Sequence, residues 1–138
     1  MNQLEFGLRL SYSQGIDAPV IAVRIWRGRF YRDTYALLDT GAEFTIIDSE
    51  LAEPLGLNLE DGPTENVYGV TGGLVSVPVR VVAVQVLAPS LTRPVVCRAG
   101  FLTNLRERIH SNILGRRDFF HAVHFALVHS ERTVYLGQ

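Results

Sequence analysis

Leu37-Leu38-Asp39-Thr40-Gly41-Ala42-Glu43-Phe44-Thr45-Ile46-Ile47 joins two apolar segments across one carboxylate and one glycine. Leu37 and Leu38 end an extended run, so Asp39 is delivered where a sheet stops. Gly41 allows a tight backbone reversal that bulkier residues resist, and the Thr40 hydroxyl can hydrogen-bond across the turn. The carboxylate is therefore expected to be held rather than free in solvent. An Asp-Thr-Gly tripeptide is also an ordinary turn, and average residue usage places one in about one chain in thirty of this length. Its surroundings have to decide its meaning.

Working outward, the dominant period is two. Leu4, Phe6, Leu8 and Leu10 alternate with Glu5, Gly7, Arg9 and Ser11, which predicts a half-buried strand over 4–10. Residues 20–26 and 30–38 read as strands joined across Arg27-Gly28-Arg29, where glycine suits a short hairpin. Phe44 to Ile47 reads as another strand, followed by a short helix over 50–53, capped by Asp48 or Ser49 and ended by Pro54 and Gly56. Residues 64–68 and 74–87 flank Gly69-Val70-Thr71-Gly72-Gly73, the pattern of a long hairpin with a glycine-rich tip. A strand over 94–101, a polar loop or helical turn over 103–110, the short apolar run Asn112-Ile113-Leu114-Gly115, a helical turn over 116–121 and a closing hairpin of 123–128 with 133–136 complete the chain. No internal repeat, linker or second domain is visible. The expected fold is all-β, a closed barrel-like architecture with one or two short helices in a single domain spanning residues 1–138.

Composition narrows the chemistry. The 138 residues carry 13 Lys+Arg against 14 Asp+Glu, and every basic residue is an arginine. Without lysine there is no Schiff base, no covalently held pyridoxal phosphate and no phosphate-binding loop of the GxxxxGK kind. Cys97 is the single cysteine, so an intrachain disulfide and a thiolate-based zinc site are excluded. In an apolar strand it is expected to be a buried, inert thiol. The longest apolar run, over 77–88, is interrupted by Arg80 and Gln85 and falls short of the roughly 20 residues of a membrane span. The first ten residues lack the basic start and apolar core of a signal peptide, so a cytoplasmic protein is expected. Arginines 24, 27, 29 and 32 are assigned to solvated strand faces, and the near-neutral charge argues against a nucleic-acid partner. The histidines at 110, 121, 124 and 129 suit no metal site, because 121 and 124 fall on opposite faces of the expected strand and lack a neighbouring acid. No Gly-x-Ser-x-Gly elbow is present.

Three features occur in order: the Leu37-Leu38-Asp39-Thr40-Gly41-Ala42 loop, the glycine-rich hairpin at 69–73, and Ile113-Leu114-Gly115. In that order they resemble the retropepsin-like aspartic proteases, the retroviral enzymes and their single-domain cellular relatives, over about residues 20–136. The resemblance implies an acid-protease barrel in which Asp39, Thr40 and Gly41 form the catalytic loop. It further implies that Ala42, Glu43 and the flap residues Gly69, Val70, Thr71, Gly72 and Gly73 meet substrate. Leu114, Gly115 and Arg116 pass beside the loop and support it. It also maps Glu43 to a position usually acidic and Arg116 to an arginine that pairs with it, with Arg117, one arginine more than the family's usual pattern, as the alternative partner.

Peptide hydrolysis of this type uses two carboxylates around one water, with no metal and no cofactor. This chain has a single Asp-Thr-Gly; the aspartates at 17, 33, 48, 61 and 118 fall in expected loops or strand ends without its combination of apolar run and tight turn. The resemblance thus implies an endopeptidase acting on a peptide or protein substrate as a homodimer, with Asp39 of each subunit forming the pair and the Thr40 hydroxyls bonded across the axis. The strands over 4–10 and 133–136 are candidates for interleaving between subunits, or for pairing within one. A relative that keeps the loop but serves only as a peptide-binding or dimerisation module is the alternative.

Overall fold

The computed structural model describes residues 3–12, 17–68, 72–90, 92–105, 107 and 111–138. Its strands are β1 (Leu8–Ser11), β2 (Val20–Arg27), β3 (Phe30–Leu38), β4 (Ile46–Asp48), β5 (Thr64–Tyr68), β6 (Leu74–Val86), β7 (Val95–Leu102), β8 (Asn112–Leu114), β9 (His124–Val128) and β10 (Thr133–Gly137). Strands β2-β3-β8-β4-β7-β6 follow one another in hydrogen-bonded order, and β6 returns to β2, which closes a six-stranded barrel. The fold is the barrel of the acid proteases.

The hairpin β2–β3 runs in unbroken antiparallel register from Val20 opposite Leu37 to Arg27 opposite Phe30, turning at Gly28 with φ +58°. Only glycine adopts that conformation without a Cβ penalty. Arg24 makes a two-pronged bond to Asp33 across the pair, at 2.6 and 3.0 Å, and lies over the Tyr31 ring. The hydrogen bond from Arg24 holds the Asp33 carboxyl below its ordinary value. Arg27 donates to the carbonyl of Gly56. Local arginine density on this hairpin therefore serves strand pairing and loop anchoring.

Long β6 joins two parts of the molecule. Residues 74–78 pair with β5, while residues 79–86 pair with β7 and β2 in the barrel wall. The period of two sorts side chains between two apolar clusters. Val23, Ile25, Leu38, Val84, Phe101 and Leu114 belong to the first, inside the barrel, and Phe44, Ile46, Val67, Val77, Leu105 and Ile113 form the second. Leu38 and Leu114 are cross-strand partners, as are Leu37 and Ile113. Neighbours in sequence thus face opposite sides of one sheet, as extended backbone requires.

Of the two pairings open to the terminal strands, the structure shows the intrachain one. Strand β1 lies antiparallel to β10, Leu8 opposite Leu136, and β10 pairs with β9 in a separate three-stranded sheet. Other boundaries shift. The strand expected from Phe44 begins at Ile46, because Phe44 and Thr45 bend around Gly115 and the Thr45 carbonyl accepts from Gly100 N–H. The helix expected over 50–53 is two 3-10 turns, Ser49–Leu51 and Glu53–Leu55. Asp48 caps the first through Glu50 N–H, and Pro54, lacking an N–H, sits in the second. The final helical turn is Phe119–Ala122 rather than 116–121.

Cys97 is fully buried, as expected for an inert thiol. Burial, with Asp118 nearby, pushes its pKa up to about 12. The sign follows directly. An unfolded chain releases this proton near the ordinary thiol value of about 8.5 while the folded chain keeps it, so stability falls as pH rises from there toward 12. Cys97→Ala is expected to flatten that decline relative to the natural protein, by at most about 1.4 kcal/mol per pH unit, in denaturant titrations from pH 8 to 11. Equal slopes in the two proteins would contradict this.

Candidate active site

Asp39 sits one residue past the end of β3, and its N–H donates to the Leu114 carbonyl at 3.1 Å, extending the β3–β8 pairing by one bond. The chain then turns, Ala42 N–H reaching the Asp39 carbonyl at 3.2 Å. One carboxylate oxygen accepts from Gly41 N–H at 2.9 Å. That bond, rather than the Thr40 hydroxyl, orients the carboxylate; among the described residues the Thr40 hydroxyl takes no partner and the side chain is exposed. Gly41 is not at positive φ. Its missing side chain matters for space, since a Cβ there would stand 3.2 Å from the Asp39 carboxylate.

Residues 113–117 hold this turn from below. Gly115 packs so closely under the loop that a Cβ would overlap the Phe44 carbonyl and lie 3.0 Å from the Ala42 carbonyl. Gly115 N–H donates to the buried Thr45 hydroxyl, Arg116 N–H to the Ala42 carbonyl at 2.9 Å, and Arg117 N–H to the Glu43 carbonyl at 2.8 Å. The two arginines divide their work. Arg117 pairs with Glu43 at 3.4 Å and lies over the Phe44 ring at 4.6 Å. Arg116, the position mapped to that pairing, instead donates through Nη1 to the Thr40 carbonyl at 2.8 Å. Both members of the Glu43–Arg117 pair are more than half exposed. A double-mutant cycle with Glu43→Ala and Arg117→Ala is therefore expected to give a coupling under about 1 kcal/mol, and a value several-fold larger would mean that solvent is excluded from the pair.

Asn112, which opens the short apolar run 112–115, ties three strands together. It is buried, accepts from Asp48 N–H at 2.8 Å, and donates to the Tyr35 carbonyl and the Thr34 hydroxyl. Strands β3, β4 and β8 are locked together just below Asp39. A polar side chain opening an apolar strand was the available signal.

Above the turn opens a cleft of about 530 Å³. Asp39, Gly41, Ala42, Glu43 and Arg116 line one side; Leu37, Phe44, Ile46, Leu105 and Ile113 form an apolar floor. The β5–β6 hairpin supplies Asn66, Val67 and Tyr68. Tyr68 is 83% exposed, so it is not a packing aromatic. Gly69, Val70 and Thr71 of the expected flap tip lie outside the described residues, as does His110. Gly72, at φ +86°, and Gly73 are described and have open space around them. Leu114 does not reach the cleft; it is buried in the barrel and contributes its carbonyl to Asp39. His124 bonds the Glu5 carbonyl and His129 meets Tyr12 and Asp17. Among the described residues no three His, Cys, Asp or Glu side chains come together as metal ligands.

A family model described as aspartyl protease matches residues 23–116, from β2 through Asp39 to Arg116. The chain belongs to this family, in its retropepsin-like form. No curated protein matches the sequence. Among the described residues no helix is long and apolar enough to cross a membrane.

Proposed function

We propose that this chain is an aspartic endopeptidase, working in the cytoplasm as a homodimer in which the Asp39 carboxylates of two subunits face one water. The observation that carries the reading is Asp39 itself, fixed by Gly41 N–H at the edge of an apolar cleft. Support for the dimer comes from the single Asp-Thr-Gly and from the exposed Thr40, whose hydroxyl is available to a second copy of the loop across a two-fold axis.

Two carboxylates this close share one proton, because like charges at such separation do not both ionise. The ionised member takes a proton from the water as its oxygen attacks the peptide carbonyl carbon. The protonated member gives its proton to the departing nitrogen as the carbon–nitrogen bond breaks. Thr40 and Gly41 hold the geometry, Ala42 and Glu43 meet the peptide, and Leu114, Gly115 and Arg116 keep the loop in place. The β5–β6 hairpin, with Gly69 to Gly73 at its tip, closes over the bound chain and offers backbone amides to it. No metal or cofactor enters these steps.

The test is peptide cleavage measured across pH beside mass in solution. Cleavage that rises with the dimer fraction is expected. A folded dimer that cuts no peptide at any pH would overturn the enzyme and leave a peptide-binding module.

A further inference from the structure

The charges lining the cleft are unequally committed. Glu43 is paired with Arg117, and Arg117 is drawn toward the Phe44 ring. Arg116 is exposed, lines the cleft, and spends one N–H on the Thr40 carbonyl. A guanidinium has five N–H groups, and among the described residues no acceptor takes the rest of them. Beside it lies the apolar floor of Phe44, Ile46, Leu105 and Ile113.

We infer that Arg116 is a specificity-determining residue, receiving a carboxylate of the bound peptide while a bulky apolar side chain of that peptide occupies the neighbouring floor. The planar guanidinium fork matches a carboxylate in two parallel hydrogen bonds, which a neutral amide does not reproduce. An acid placed elsewhere in the cleft meets Asp39 and Glu43 instead, so the preference is confined to one position of the peptide. That carboxylate belongs either to a Glu or Asp side chain or to the C-terminal end of a short peptide. The inference rests on the cleft being a peptide site, as proposed above, but does not require that the peptide be cut.

Binding of short fluorescent peptides to the Asp39→Asn protein tests it. Each peptide carries a central Phe, and Glu is compared with Gln at one flanking position at a time; a further pair ends in carboxylate or carboxamide. At one position, or at the chain end, the acid is expected to bind roughly ten-fold tighter than its amide. Adding Arg116→Gln should remove the preference, Arg116→Lys should keep its sign, and Arg116→Glu should favour Lys over Gln at that position. Loss of the Thr40 bond weakens every peptide alike and leaves these ratios unmoved, which separates recognition from loop support. A ratio near one everywhere, or a preference that survives Arg116→Gln, overturns the assignment of Arg116 alone. Failure of every peptide to bind overturns both this inference and the peptide site.

Discussion

Asp39→Asn is expected to lower peptide cleavage by about 10³- to 10⁴-fold while leaving the fold intact. Asparagine has the shape of aspartate and retains an oxygen for Gly41 N–H, the bond that orients the side chain in the native loop. What it lacks is a carboxylate oxygen able to take up and give back a proton. In a homodimer the exchange removes both members of the pair at once. Mixing then gives the sharper measurement. When natural and Asp39→Asn subunits exchange freely at equal amounts, roughly one quarter of dimers keep two carboxylates, and excess Asn subunit should suppress the cleavage given by the natural protein almost completely. Activity that simply tracks the amount of natural subunit would show that each chain works alone. Cleavage surviving in the pure Asp39→Asn protein would remove Asp39 from the mechanism.

Gly115→Ala carries the largest expected effect on stability, about 3 kcal/mol or more. The added methyl has no flexible neighbour to displace, since it meets the backbone carbonyls of Phe44 and Ala42. Relief requires moving residues 42–44 away from β8, which also disturbs the bonds from Arg116 and Arg117 N–H to the same segment. Against a usual total of about 5–15 kcal/mol this is a large fraction. Gly73→Ala is the matched control, because nothing lies within 4 Å of a Cβ there and its φ is unremarkable. It should change stability by less than about 1 kcal/mol. Urea titration of both variants checks the contrast. Similar midpoints would mean that the loop yields more easily than its packing against Gly115 implies.

What could be read from the sequence was local. Asp39 and Gly115 announce themselves through short patterns whose physical demands, a turn at a strand end and a closely packed glycine, are met within a few residues. Alternation over 20–38 likewise defines the β2–β3 hairpin before any tertiary contact is known. The closure of the barrel was not legible in residue detail, because the pairing of Val23 with Val86 joins distant segments through backbone groups common to every residue. Nor did the sequence decide between Arg116 and Arg117. Both have the reach and charge to meet Glu43, and the turn after Gly115 determines which one lies over Phe44 and which bends back to the Thr40 carbonyl. Leu37 and Leu38 posed the same difficulty: alternation says they part company, but only the placement of the β5–β6 hairpin tells which side becomes cleft.

The pairing of β1 with β10 has a bearing on how the chain could be rewired. Leu8 stands directly across from Leu136 in an antiparallel pair, so the chain enters β1 and leaves β10 at the same end of one small sheet. A short peptide bridge from the residue after β10 to the segment entering β1, with a new start opened in an exposed turn such as that at Gly28, would yield a circularly permuted domain carrying the same barrel and an undivided Asp39 loop.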